Sequence, residues 1–64
     1  MEEKQLLIKA LECLENGDVL GSAELLGECY SSDAEEALDI LSDGDVDSIA
    51  IAAAHIRQAI ESYD

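Results

Sequence analysis

The chain has 64 residues, 16 acidic against 3 basic side chains for a formal net charge of −13, and 48% hydrophobic content with no Phe, Trp or Pro. One small domain is all that fits, the apolar fraction is too high for a disordered acidic tail, and the acidity opposes contact with nucleic-acid phosphates or anionic lipid. The opening Met1-Glu2-Glu3-Lys4-Gln5 has no basic region or apolar run, so neither a signal peptide nor a membrane span is expected, and a reducing, cytoplasmic location is.

The first predicted helix covers about residues 2–15, with Leu7, Ala10, Leu11 and Leu14 as its apolar stripe. Gly17 suits the left-handed residue just past a helix end, and Asp18 suits the N-cap of the next helix. A second helix is expected from Val19 to Cys29, with Val19, Ala23, Leu26 and Tyr30 in its stripe. In an antiparallel hairpin Cys13 and Cys29 would lie about 10 Å apart along the axis, beyond the reach of a disulfide. Both are expected to fill core space.

Tyr30-Ser31-Ser32 joins the hairpins, and the Ser32/Glu35 spacing predicts a capping box at the start of a third helix ending near Ser42. Its stripe is Ala34, Ala37, Leu38 and Leu41. Residues 10–19 then repeat at an offset of 27: Ala10-Leu11 with Ala37-Leu38, Leu14 with Leu41, and Gly17-Asp18-Val19 with Gly44-Asp45-Val46. Two copies of helix, turn, helix predict an all-α fold: a small four-helix bundle built from two helical hairpins, about 2–29 and 33–63, in a single domain over 1–64. The Gly-Asp-Val turn resembles that of tetratricopeptide hairpins. Its alanine falls one residue late and the offset is short of about 34 residues, so the likeness implies shared turn chemistry only.

The fourth predicted helix covers Val46 to about Tyr63, with a stripe of Val46, Ile49, Ala53, Ile56 and Ile60. Residues 49–54, Ile-Ala-Ile-Ala-Ala-Ala, are apolar all round. This helix is expected either at the centre of the bundle or in a homodimer interface, with Ile51 and Ala54 as the candidate contacts. Ile8 and Ile51 project away from their own stripes. Asp43, Asp45 and Asp47 open like a calcium loop, but Ser48 stands where Gly is needed and Ala54 where a bidentate Glu is required. Asp45 or Asp47 is expected to cap the helix instead. Asp47-Ser48-Ile49 resembles the Asp-Ser-Leu triplet of acyl carrier proteins over three residues, with only 16 residues after Ser48. Ser48 is read as a helix-start residue and the lone His55 as a partly buried packing residue. No catalytic, cofactor-binding or metal-ligating set is found, so an enzyme is not expected.

Charge is the strongest signal. Between Lys9 and Arg57 there are twelve acids and no lysine or arginine. Like charges at Glu24/Glu28, Glu35/Asp39 and Asp39/Asp43 destabilise an isolated helix, where mixed charges would support it. Carboxylates one turn apart are spaced about 6 Å along the axis, close to successive phosphates on a nucleic-acid strand. The nine candidate partner contacts are Glu24, Glu28, Asp33, Glu35, Glu36, Asp39, Asp43, Asp45 and Asp47.

In size, acidity and lack of chemistry the chain resembles the small anti-defence proteins of phages and mobile elements, DNA mimics and anti-CRISPR proteins among them. The resemblance rests on composition and charge pattern, with no family motif. It implies a stoichiometric inhibitor that places these acids in the basic nucleic-acid-binding site of a host enzyme, in the host cytoplasm if phage-encoded. The expected partner is therefore a basic, nucleic-acid-binding protein, with no direct contact to nucleic acid or membrane. The alternative is a non-enzymatic helical dimerisation module whose acidity serves solubility.

Overall fold

In the computed structural model, which describes residues 2–63, two left-handed glycines fold the chain into helical hairpins. Met1 and Asp64, the ends of the expected domain, lie outside the described residues. The helices are α1 (Glu3–Glu15), α2 (Val19–Leu26), α3 (Ser32–Leu41) and α4 (Val46–Ser62). Gly17 has φ 82° and Gly44 φ 73°, and no other described residue has positive φ. In both copies the glycine N–H donates to the carbonyl of the preceding leucine, Leu14 at 3.1 Å and Leu41 at 3.2 Å. The first turn adds a bond from the Asp18 N–H to the Cys13 carbonyl at 2.7 Å, completing a Schellman cap. Among the described residues Asp45 makes no counterpart bond to Ile40, so the repeat is one of sequence and path, with a looser second turn.

Helix starts follow the expectation in part. The Asp18 carboxylate accepts from the Gly21 N–H at 3.0 Å, and a Cβ at position 21 would collide with that carboxylate. At α3 the cap is Ser31, whose hydroxyl accepts from the Ala34 N–H at 3.2 Å. The capping box expected from Ser32 and Glu35 does not form, because the helix begins one residue earlier. Asp45 is the N-cap of α4, yet no side chain caps that helix, so the expected Asp45 or Asp47 cap is absent.

The four helices pack in a ring, α1 on α2, α2 on α3, α3 on α4 and α4 back on α1, in a body of 29 × 16 × 16 Å. The α2–α3 seam is the thinnest. Helix α4 is one wall of this ring, which overturns its placement as a central helix. The core holds Leu7, Ala10 and Leu14 of α1, Leu26 of α2, Ala34, Ala37 and Leu41 of α3, and Ala52, Ile56 and Ala59 of α4. Alanines at the facing positions of α3 and α4 let these helices approach closely. The α4 stripe is consequently rotated from the predicted one: Ile49, Ala53 and Ile60 flank the core and Val46, the first helical residue, is exposed.

Two further expectations are corrected on α2. The helix ends at Leu26, three residues short of Cys29, and the chain turns through Gly27 and Glu28, leaving Tyr30 95% exposed. Ser22 is fully buried, and its hydroxyl has no hydrogen-bond partner. An unpaired buried hydroxyl costs about 1–3 kcal/mol. Cys13 and Cys29 are free and half-buried.

Gly17→Val should destabilise the bundle by about 1 kcal/mol or more, as the left-handed backbone penalises a β-branched residue. No atom lies within 4 Å of a Cβ placed there, so backbone strain alone is probed. Chemical denaturation checks this; an unchanged midpoint would refute the role assigned to the turn.

Candidate functional site

The bundle sorts its charges by helix. Lys4 and Lys9 lie on α1 and Arg57 on α4, whereas α2, α3 and the segments joining them carry no lysine or arginine. On α3 the inward residues are Ala34, Ala37 and Leu41, which puts Glu35, Glu36 and Asp39 on the solvent side. Asp43 continues the row one turn beyond Asp39. Glu24, Glu28, Asp43, Asp45 and Asp47 are also exposed. Eight of the nine sequence-derived contacts are thus free to meet a partner.

The ninth, Asp33, stands apart. It is half-buried, and its Oδ1 lies 3.7 Å from Nδ1 of His55 on α4. That nitrogen is itself buried without a hydrogen-bond partner. Asp33 therefore faces the α3–α4 contact, and it also lies in the first turn of α3, where a negative charge is favoured by the helix dipole.

The charges at the helix C-termini are not arranged for stability. No helix has a basic residue in its last turn, and Glu15, Glu24, Asp39 and Glu61 lie near C-termini, where negative charge is disfavoured. Spread evenly, 13 net charges over 4052 Å² of surface would sit about 18 Å apart, beyond the screening length of about 8 Å. Rows one turn apart bring neighbouring acids well inside that length. Their repulsion is concentrated on the α2–α3 half.

One acid serves the fold and escaped the sequence reading. Glu3, at the start of α1, accepts from the Tyr30 N–H at 2.5 Å through Oε1 and from the Tyr63 hydroxyl through Oε2. This carboxylate ties the start of α1 to the α2–α3 linker and to the end of α4. The bonds from Tyr63 and then Tyr30 hold the Glu3 carboxyl below its ordinary value, and the same bond raises the Tyr63 phenol. Nearby, burial first and the carboxylates of Glu3 and Glu28 second push the Cys29 thiol up, which keeps it protonated and a poor nucleophile at neutral pH.

Two surface depressions flank α2. One, of about 430 Å³, runs between α2 and α3 and is lined by Val19, Leu20, Ala23, Leu38, Leu41 and Ser42. The other, of about 540 Å³, is lined by Leu6, Leu25, Glu28 and Tyr30. Neither brings together a nucleophile and a base. Among the described residues no three His, Cys, Asp or Glu side chains converge as metal ligands, and no helix is long and apolar enough to cross a membrane. On α4, Ala50, Ile51 and Ala54 are exposed, Ile51 to 52%. No protein-family model, curated protein or solved structure matches the chain.

The Glu3 clasp has a defined pH signature. A lowered folded-state value means its contribution is complete above the ordinary 4.5 and is lost as pH falls through the lower folded value. A raised Tyr63 phenol means its part is complete below 10.0 and is lost as pH rises through the raised value. The melting temperature of wild type should therefore exceed that of Glu3→Gln near neutral pH, with the gap closing in acid. A gap that persists or grows below the folded value would refute the clasp.

Proposed function

We propose that this chain is a stoichiometric, non-catalytic inhibitor whose acidic α2–α3 face occupies the nucleic-acid-binding site of a basic partner protein. It would act as the nucleic-acid mimics of phages and mobile elements do, anti-CRISPR proteins among them, in the cytoplasm of a host cell. The observation that carries this reading is the base-free half of the bundle, with Glu35, Asp39 and Asp43 in one exposed row. Single exposed ion pairs contribute about 0–1 kcal/mol, so recognition must come from many acids acting together on a rigid frame. A basic channel with low-dielectric walls focuses its field and favours such a surface.

The test uses the protein immobilised and a nuclease-treated host lysate. The captured partner should bind nucleic acid by itself, and its affinity for this protein should fall markedly between low and physiological salt. Replacing Glu35, Glu36 and Asp39 together by Lys should abolish capture while leaving the helical signal unchanged, since all three side chains are exposed. Glu2→Lys should have little effect. Capture that withstands both salt and the triple reversal would overturn the mimic.

The exposed apolar face of α4 favours a second reading, a homodimer through Ala50, Ile51 and Ala54. Under it, sedimentation should give a dimer that Ile51→Glu converts to a folded monomer. A wild-type monomer at high concentration would dismiss it.

A further inference from the structure

We infer that the groove between α2 and α3 is an anchoring site for a basic amphipathic helix of the partner protein, so that the acidic face holds its target by an apolar contact as well as by charge. This inference rests on the inhibitor reading and specifies the partner element that it meets. The α2–α3 seam is the thinnest in the ring, and its outer side is left open as the groove of about 430 Å³ described above. Apart from Ser42 at one end, its lining is aliphatic. Leu20 is 75% exposed at its lip and extends the aliphatic lining to the surface. Glu24 follows Leu20 by one turn on the same exposed edge of α2, and Glu35 and Asp39 bracket Leu38 on α3.

An apolar trough between acidic edges is complementary to a helix with an aliphatic stripe flanked by Lys or Arg. It is a poor seat for a second copy of this chain, since a copy would bring 13 further net negative charges against the same edges. Length agrees with the assignment. Helices α2 and α3, of 8 and 10 residues, are about 12 and 15 Å long, which matches two to three turns of a docked helix. Helix-in-groove recognition needs anchors at i, i+3/i+4 and i+7, a span of that size. The aliphatic contact also answers a difficulty of mimicry alone: exposed charges weaken together as salt rises, whereas apolar anchors do not.

The experiment measures binding of two synthetic peptides of about 18 residues, five helical turns. Both have the same Leu and Lys composition. In one the leucines follow i, i+3/i+4, i+7 spacing, and in the other they are scrambled. Fluorescence anisotropy at physiological salt is read for wild type, Leu20→Ser and Ile51→Ser, with circular dichroism to verify folding. The spaced peptide should bind wild type about tenfold tighter or better than the scrambled one, the scale of one anchoring contact. Leu20→Ser should remove that advantage and Ile51→Ser should keep it. Equal binding of both peptides, unaffected by Leu20→Ser, would overturn the groove and leave the acidic face standing. Loss of the advantage in Ile51→Ser alone would overturn it in favour of α4. Binding of neither peptide would overturn the groove and leave the inhibitor reading to its own capture experiment, since screened charges alone need not hold a short peptide at physiological salt.

Discussion

Everything in this protein depends on how closely its helices approach. Half of the core cluster is alanine: Ala10, Ala34, Ala37, Ala52 and Ala59 are all at most 1% exposed. An alanine contributes little apolar area, so the core gains its cohesion from close contact over many small surfaces. Among the described residues only Leu7, Leu26 and Ile56 bring a large aliphatic side chain that is fully buried. Such a core leaves little margin. The ring therefore keeps almost every charge on its outer surface, and the one partly enclosed carboxylate–imidazole approach, Asp33 with His55, lies at the edge of the α3–α4 contact.

Against that narrow margin the placement of acids is informative. A chain selected for stability alone would put bases at helix C-termini and mix signs along each exposed face. This chain does neither: none of its helices ends on a base, and its exposed α3 face is purely acidic. Glu3 shows what an acid committed to the fold looks like here. It sits at a helix N-terminus, accepts from two defined donors and closes one end of the bundle. Glu35 shares with Asp33 the favourable first turn of α3 but its carboxylate accepts from no donor among the described residues, and Glu36, Asp39 and Asp43 have neither advantage. Their clustering is what the inhibitor reading explains, and the open α2–α3 groove supplies the apolar complement that charge by itself lacks.

Turn chemistry was legible in the sequence, helix caps only in part, and distant pairing not at all. Gly17 and Gly44 announced their left-handed turns because few residues other than glycine accept that backbone, and the 27-residue offset exposed the two-hairpin path. The exposed acids were equally readable, since a base-free run has nowhere to hide twelve carboxylates. Two features escaped because they are decided by partners far along the chain, and a third because a helix ends earlier than its spacing implies. Glu3 meets Tyr30 and Tyr63 across separations of 27 and 60 residues, and nothing local marks it among 16 acids. The rotation of the α4 stripe follows from alanines facing it on α3, which no pattern within a helix of almost continuous apolar character could fix. Tyr30 looked like a stripe residue because its spacing from Leu26 is helical, yet the helix had already ended at Leu26.

The central claim is that the acidic face and nucleic acid compete for one surface. The most direct measurement titrates this protein into a complex of the captured partner with fluorescently labelled nucleic acid, following anisotropy and complex mass together. Mimicry predicts that the label returns to its free value at one equivalent of protein per partner site, with no species containing all three components. A stable ternary complex, with the nucleic acid still bound at saturation, would contradict the account.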